Sequence, residues 1–308
     1  MDVRAYQKYN RQFWEKYVYR LGGSVGFFSE YNNMIIAMLY CLVHHKQFVL
    51  QSRNANFSAG EGWKEFFEPF CREVNNGMLE KYNHRIKPLY DQKSDRYAFN
   101  LYRYLILQDA RFTYEFFDEM RKMPVDTIYE IPELGLKGNL RECSTEIHKM
   151  VWRYNASTGK EIERMIEGLA LPKEYVGIHV RQGDKNLETE VYTPKRYMDE
   201  LQKHTDCKDV FVLTDDYRVL TDLRDEYKGY RFYTLCQSNE DGYSYEKLQA
   251  LTYEERRKSM LRLWASMDVM EKGQVFVGTF TANPGMNMGF RMKEEQIFGI
   301  DYEHWILW

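Results

Sequence analysis

The sequence lacks the cysteine patterns that mark disulfide-rich and zinc-binding proteins. Its 308 residues include five cysteines, which are odd in number, scattered, and without a Cys-x-x-Cys pair. Such a set favours reduced thiols over a disulfide framework or a zinc site. These residues are Cys41, Cys71, Cys143, Cys207 and Cys236.

An excess of basic residues is also missing. The chain has 43 Lys and Arg against 46 Asp and Glu, which gives a formal net charge of −3. Because nucleic acids are held mainly through a positive field along the phosphate backbone, this balance disfavours them as partners.

Long apolar runs are absent as well. The longest run, residues 34–43, is too short to cross a bilayer, and the first residues are too polar for a secretion signal. We therefore expect a cytoplasmic protein without a transmembrane segment. Peripheral contact with the inner face of a membrane is compatible with this expectation.

The chain does contain alternating strand and helix patterns. Its length predicts two domains, which we place at 1–171 and 172–308. Apolar runs joined by helical patterns predict an α/β fold with a parallel sheet. The predicted strands are 47–51, 174–180, 209–214, 230–235 and 274–279, and the predicted helices include 62–70, 111–123, 217–227 and 254–272.

A glycine-containing loop precedes the first long apolar run. Residues 22–26, Gly-Gly-Ser-Val-Gly, depart from the Gly-x-Gly-x-x-Gly spacing of dinucleotide-binding loops. No strand is evident before them, so the sequence does not predict a dinucleotide fingerprint here.

Polar groups follow three of the predicted strands. In parallel sheets, ligands bind beyond the carboxyl ends of the strands, so these groups are candidates for a shared site. The three sets are Arg181-Asp184-Lys185, Asp215-Asp216 and Thr279-Thr281-Asn283.

The loop after the strand "EYVGIHV" has the residue types needed to transfer a sugar from a diphosphate. A guanidinium at Arg181 can neutralise a departing diphosphate through a bidentate fork and without a metal. A carboxylate in the same loop, Glu190 or Glu188, can take the proton of the acceptor hydroxyl. Asp184 and Lys185 can pair to fix the loop or can contact the sugar. A loop of solvated surface charges is the simpler alternative.

Other polar residues have structural alternatives too. His179 alone is more often a buried core histidine than a ligand-binding group. Asp215 and Asp216 can complement the amino end of a helix. Without a nearby histidine, this acidic pair is weak support for a metal, and we predict no metal site.

The residues around Arg181 resemble a motif of a known protein family. "GIHVRQGDK" resembles the His-x-Arg-x-Gly/Thr-Asp-Lys motif of fucosyltransferases that use GDP-fucose, in particular the α1,6-fucosyltransferases. That group includes the rhizobial Nod-factor enzymes and the animal N-glycan core enzyme. Four further stretches resemble family blocks in the same order: 47–71, 146–169, 210–232 and 266–285.

The resemblance implies a GT-B-like fold with two Rossmann-like domains facing a cleft. Residues 1–171 would form the acceptor side, and the parallel sheet of 172–308 would bind the donor. The implied reaction moves fucose from GDP-fucose to an oligosaccharide hydroxyl with inversion and without a metal or other cofactor. The implied linkage is α1,6, with α1,2 as an alternative. The implied partners are the nucleotide-sugar donor and a glycan or glycolipid acceptor.

The resemblance also implies roles for single residues. Arg181 would bind the β-phosphate and His179 the guanosine end. Asp184 and Lys185 would shape the donor site. Asp268 would contact guanine.

The remaining implied contacts come from three other segments. The pair Asp215-Asp216 would support donor binding, and Gly26 would lie close to the nucleotide. Thr281, Ala282 and Asn283 replace a Ser-Ser-Gln that holds phosphate.

The sequence departs from the family pattern at two positions. Gln182 stands where the core enzymes often have a second arginine. Thr189 stands at the position of the family's base-like glutamate, between Glu188 and Glu190, and the Thr-Glu dipeptide favours Glu190. A transferase using another GDP- or UDP-sugar and a non-catalytic nucleotide- or sugar-binding protein are the alternative functions.

Overall fold

The computed structural model describes residues 1–23, 25–90, 92–183 and 192–307. Its chain forms two compact units, Met1–Asn155 and Ala156–Trp308. This division lies before the position between 171 and 172 that the sequence predicts. Helix α7 (Ala156–Glu167) groups with the second unit because it packs against the long helix Tyr253–Lys272. An ion pair of 2.6 Å between Glu161 and Arg257 joins the two helices.

The first unit contains a three-stranded parallel sheet. Its strands are β1 (Lys16–Arg20), β2 (Gln47–Gln51) and β3 (Arg111–Phe112), in the order β2-β1-β3. The predicted strand 47–51 is confirmed. Strand β1 ends just before the glycines of residues 22–26, so the expectation of no preceding strand was wrong. A small antiparallel pair, β4 (Tyr129–Ile131) and β5 (Leu136–Gly138), follows later in the chain.

The helices of this unit surround the sheet. The apolar run of residues 34–43 forms most of α2, which is buried along almost its whole length. The predicted helix 62–70 is wrong, since only a single 3₁₀ turn forms there. Pro69 disfavours helical geometry in the residue before it, and Phe67 makes an isolated bridge to Tyr154 instead. The helices are α1 (Val3–Asn10), α2 (Phe27–Val43), α3 (Gly77–Tyr82), α4 (Lys93–Leu107), α5 (Thr113–Met120) and α6 (Leu140–Val151).

The second unit contains a five-stranded parallel sheet in the order β10-β9-β6-β7-β8. Four of its strands match the predicted ones, and β10 was not predicted. The strands are β6 (Val176–Val180), β7 (Asp209–Thr214), β8 (Arg231–Tyr233), β9 (Phe276–Gly278) and β10 (Ile297–Gly299).

Helices cover both faces of this sheet. The side chains of Ile178 and Val180 on β6 pack into a core with α8 (Pro194–Leu201) and α9 (Arg218–Glu226). Gly177 faces the other way, where an added Cβ would overlap Met270 of α11 (Tyr253–Lys272). Since successive residues of a strand point to opposite faces, α8 and α11 lie on opposite sides of the sheet. Two more helices complete the unit, α10 (Tyr245–Ala250) and α12 (Asn283–Arg291).

Candidate functional site

The strand order of the second unit defines where a ligand would bind. From β6 the chain continues to β7 and β8 on one side, and then β9 and β10 are added on the other side of β6. In doubly wound sheets, ligands bind in the crevice at the carboxyl ends of the two strands where the order reverses. Here those strands are β6 and β9. Their carboxyl ends lead into Arg181 and Thr279.

Arg181 is held at the end of β6 by Asp215, which follows β7. The Nη1 atom of Arg181 donates to Asp215 Oδ2 in an ion pair whose side chains are 16% and 17% exposed. The same carboxylate accepts hydrogen bonds from the backbone N–H groups of Gln182, at 2.9 Å, and Tyr243, at 2.8 Å. Asp215 therefore fixes both the guanidinium and the two loops around it.

Two glycines allow these loops to meet. A Cβ on Gly183 would overlap the carbonyl oxygen of Tyr243 and would lie 2.7 Å from Arg181 Nη1. Gly242 has a φ of +103°, which favours glycine, and it lies against the backbone of Gly183. The ring of Tyr243 then stacks on the guanidinium of Arg181, with its centroid 4.9 Å away.

Tyr197 links the end of β6 to the end of β9. It belongs to α8 and is fully buried. Its hydroxyl interacts with the backbone of Arg181 and lies near the side chain of Thr279. Burial raises the pKa of Tyr197 despite these two interactions, so the hydroxyl stays protonated. One buried side chain of α8 thus lies at both sides of the crevice, and α8 packs against both β6 and β9.

The segment after β9 turns directly into helix α12. Asp301 holds this turn, because its Oδ2 accepts from the backbone N–H of Thr281 at 2.9 Å and from the Thr281 hydroxyl at 2.8 Å. Ala282 is the N-cap residue and Asn283 the first helical residue, and the cap has no side-chain hydrogen bond. The amino end of α12 therefore lies at the crevice, where backbone N–H groups and the helix dipole favour an anion.

His179 lies on the sheet face opposite the one covered by α8. It is on the same side of β6 as Gly177, so it faces α11, and it pairs in register with Leu213 of β7. The side chain is buried. This position, two residues before Arg181, fits a buried core histidine and also fits a residue that binds the guanosine end of a donor.

Asp216 differs from its neighbour in what it binds. It accepts hydrogen bonds from the backbone N–H and from Nε of Arg218, each at 2.9 Å, at the start of α9. These hydrogen bonds with Arg218 hold the pKa of the Asp216 carboxyl below its usual range. The two adjacent carboxylates therefore bind different partners: Asp215 binds the loop of Arg181, whereas Asp216 binds the start of α9.

Asp268 takes part in an ion-pair network between α11 and α12. The buried guanidinium of Arg291 donates from Nη1 to Asp268 at 3.1 Å and to Glu271 at 2.8 Å. The Nε of Arg291 donates to Asn287 at 2.6 Å. Asp268 therefore forms an ion pair with Arg291 that does not depend on a ligand.

The remaining predicted residues lie outside the described part of the second unit. Asp184, Lys185, Glu188 and Glu190 lie outside the described residues. Gly26 belongs to the first unit, where it is the N-cap residue of α2.

Sequence reasoning missed several residues that build the site. Tyr197 and Tyr243 were not singled out, because single tyrosines in a chain with 25 of them carry little signal. Asp301 lies after β10, which was not predicted. A usable signal was Gly183, because a glycine two residues after a strand-end arginine marks a close approach of backbone.

Within residues 1–23, 25–90, 92–183 and 192–307, no group of three or more His, Cys, Asp or Glu is placed to hold a metal ion. No helix in that same part of the chain has the length and apolar character to cross a membrane.

The sequence matches a known protein family over most of its length. Residues 16–244 match the family described as alpha-(1,6)-fucosyltransferase N- and catalytic domains. This chain belongs to that family. The family and the α/β fold support a glycosyltransferase. Among curated proteins, none matches the chain by sequence.

Solved structures of fucosyltransferases share the fold. NodZ α-1,6-fucosyltransferase soaked with GDP-fucose is 14% identical, with a TM-score of 0.51, and the match covers 91% of this chain and 93% of that one. NodZ from Bradyrhizobium is 13% identical, with a TM-score of 0.52 and coverage of 91% and 94%. A mutant of Arabidopsis thaliana FUT1 in complex with GDP is 12% identical, with a TM-score of 0.51 and coverage of 96% and 74%.

Proposed function

We propose that this protein is an inverting glycosyltransferase that moves fucose from GDP-fucose to an oligosaccharide hydroxyl. Membership of the alpha-(1,6)-fucosyltransferase family supports the donor. The observation that carries the proposal is the placement of Arg181, held by Asp215 at the carboxyl end of β6 where the strand order reverses. A guanidinium there is suited to a diphosphate.

The reaction would need two groups that stabilise the leaving GDP and one base that takes the proton of the acceptor. The acceptor oxygen attacks C1 of fucose, the bond from C1 to the β-phosphate oxygen breaks, and GDP leaves with the bonding electrons. Arg181 and the amino end of α12 would stabilise the charge that develops on GDP, an effect of roughly a hundredfold or more in rate. The acceptor proton would go to Glu190, with Glu188 as the alternative, for about 10²–10⁴-fold.

The donor would lie along the crevice between β6 and β9. We assign the β-phosphate to Arg181 and to the turn of Thr281, Ala282 and Asn283. His179 and Asp268 would recognise the guanosine end, on the α11 side of the sheet.

Four further assignments complete the donor site. Asp184 and Lys185 would shape it, and Asp216 would act through the start of α9. Gly26 of the first unit would approach the nucleotide across a GT-B-type cleft.

We infer the class of acceptor from the family, and not from side chains of the described residues. We propose a glycan or a glycolipid as acceptor and an α1,6 linkage, with α1,2 as the alternative. The reaction would take place on the cytoplasmic side, where nucleotide-sugars are available.

The decisive experiment compares two arginine variants. Arg181→Ala is expected to lower the transfer of fucose from GDP-fucose by roughly a hundredfold or more. The matched control is Arg231→Ala, because Arg231 also pairs with an aspartate, Asp209, but at the amino end of the sheet. Product from a glycan array is measured by mass spectrometry, and unchanged turnover in Arg181→Ala rejects the mechanism.

Donor choice is tested separately by thermal shift. GDP and GDP-fucose are expected to raise the melting temperature, whereas UDP and UDP-glucose are not. A response to UDP-sugars alone assigns a different donor, and GDP binding without transfer to any acceptor assigns a non-catalytic binding protein.

A further inference from the structure

Helix α4 exposes an apolar face to solvent. Four side chains that repeat at helical spacing on it are between 59% and 74% exposed: Tyr97, Leu101, Tyr104 and Leu105. We call these four residues the α4 face. Only Phe99 and Leu107 of the helix are buried. An amphipathic helix normally turns its apolar side to the core, so an outward apolar stripe marks a surface for another partner.

More exposed apolar groups lie close to this helix. Leu89, just before α4, is 94% exposed, and Trp14 is 76% exposed. Both line one cavity of about 1090 Å³ together with the first residues of α4. Tryptophan and tyrosine have an apolar body with a polar tip, a combination enriched where protein meets a membrane surface.

The cations beside these groups differ in their pairing. Arg103 pairs with Glu115 at 2.9 Å, and Arg111 pairs with Glu15 at 3.5 Å. In contrast, Lys87, Lys93 and Arg96 have no ion-pair partner among the described residues, although they line the same cavity. From residue 85 to 107 the sequence has five Lys or Arg and two Asp, in a chain whose net charge is −3.

We propose that the α4 face is a docking surface for an anionic membrane. Its apolar side chains would enter the boundary between head groups and acyl chains, and Lys87, Lys93 and Arg96 would bind lipid phosphates. This arrangement of apolar stripe and neighbouring cations is the one that holds interfacial helices on membranes. A second copy of the chain fits less well, because a two-fold pairing of this surface would bring its cations close to the same cations of the other copy.

The test uses the full chain and two kinds of vesicle. The protein is expected to sediment with phosphatidylcholine vesicles that contain phosphatidylglycerol and not with phosphatidylcholine vesicles alone. Added salt is expected to release it, since the lipid charge is screened.

Two double variants probe the apolar and the charged parts. Leu101→Ser with Leu105→Ser, and Lys93→Glu with Arg96→Glu, are each expected to weaken vesicle binding by more than about tenfold. The matched controls are Ile128→Ser, an apolar residue that is 60% exposed, and Lys8→Glu with Lys122→Glu. All changed side chains are exposed, so circular dichroism melts are expected to stay the same.

Three results would overturn the proposal. The first is no sedimentation of the wild type with phosphatidylglycerol vesicles. The second is equal binding by the test and control variants. The third is a dimer in light scattering that the serine variant dissociates, without vesicle binding, which would assign the face to a second copy. Since vesicle binding is measured without donor, and transfer to a dissolved acceptor is expected to be unchanged in these variants, failure here is distinct from failure of the proposed activity.

Discussion

The carboxylate of Asp215 holds the guanidinium of Arg181 and, through two more hydrogen bonds, the backbone on both sides of it. One acidic group therefore sets the position of a cation and of the loops that carry Gln182 and Tyr243. A pre-set cation needs little reorganisation when charge develops on a leaving group, which is the source of its effect on rate.

Replacing Asp215 should loosen Arg181 without removing it. We expect Asp215→Asn to lower kcat by about 10- to 100-fold, because misplacing a positioned group by about an ångström has effects of this size. The change in kcat should exceed the change in KM, since the guanidinium acts most strongly in the transition state. Steady-state kinetics with GDP-fucose measures both values. The control is Asp209→Asn at the amino end of the same strand, and an equal loss of kcat there would contradict the assignment.

The close approach of two loops makes Gly183 sensitive to a single methyl group. Gly183→Ala would overlap the carbonyl of Tyr243, which is backbone and cannot rotate away. We expect a loss of about 1–3 kcal/mol in the free energy of unfolding and weaker GDP binding, because the loops must separate. Urea unfolding and calorimetric titration measure the two effects. Gly229→Ala is the control, since its added Cβ meets no atom within 4 Å.

The hydroxyl of Tyr197 interacts with the backbone of Arg181 and lies near Thr279 at the other strand end of the crevice. Tyr197→Phe removes it without changing the shape of the core, and we expect a loss of about 1 kcal/mol in stability. GDP affinity should fall by about fivefold, which corresponds to a similar free energy. Tyr175→Phe removes a comparable buried hydroxyl, bonded to the Val269 carbonyl at 2.9 Å. If both variants bind GDP equally, Tyr197 is only a stabilising residue.

Asp216 should make stability depend on pH in the acid range. The hydrogen bonds from Arg218 lower its pKa in the folded chain from an ordinary value of 3.8. Its contribution is therefore complete above the unfolded-state pKa and is lost as the pH falls through the lower folded-state pKa. We expect Asp216→Asn to cost about 1–2 kcal/mol at pH 7 and much less at low pH. Urea unfolding at both pH values tests this.

The control for that experiment lies on α9, the helix that follows Asp216. Asp225 is exposed and pairs with Lys228 at 3.1 Å. Asp225→Asn should change the free energy of unfolding by less than about 0.5 kcal/mol at either pH. The role of Asp216 would be contradicted if the difference in the free energy of unfolding between wild type and Asp216→Asn were the same at both pH values.

The proposed use of Arg181 also predicts the response to metal removal. Since a guanidinium can neutralise the leaving diphosphate by itself, transfer should continue in EDTA at an unchanged rate. Activity with GDP-fucose is measured before and after chelation. A rate that falls with EDTA and returns with Mg²⁺ or Mn²⁺ would instead assign the charge neutralisation to a metal.

Local sequence signals were enough for most of the second unit. The strand patterns 174–180 and 209–214 correspond to β6 and β7 because fully buried parallel strands form unbroken apolar runs. Thr193 and Pro194 form a local signal of the same kind at the start of α8, where proline fits the first helical position. These signals depend on neighbours in sequence, so one chain suffices to detect them.

Other parts depend on contacts that are distant in sequence. Strand β3 has only two residues, and it exists because it pairs with β1. The placement of Asp215 beside Arg181 was expected from the parallel sheet, but the pairing of loops through Gly183 and Gly242 was not. The exposure of α4 also escaped prediction, since an apolar stripe on a helix ordinarily indicates a core contact.

The crevice of the second unit is assembled from the first and the fourth strand of its sheet. Arg181 and Thr279 are about a hundred residues apart in the sequence, so the two strand ends become neighbours only after β9 has been made. The proposed donor site would therefore be absent from a chain arrested in synthesis before β9. GDP bound at the proposed site would in turn stabilise only the sheet that includes β9, and so would favour the folded form of the whole second unit.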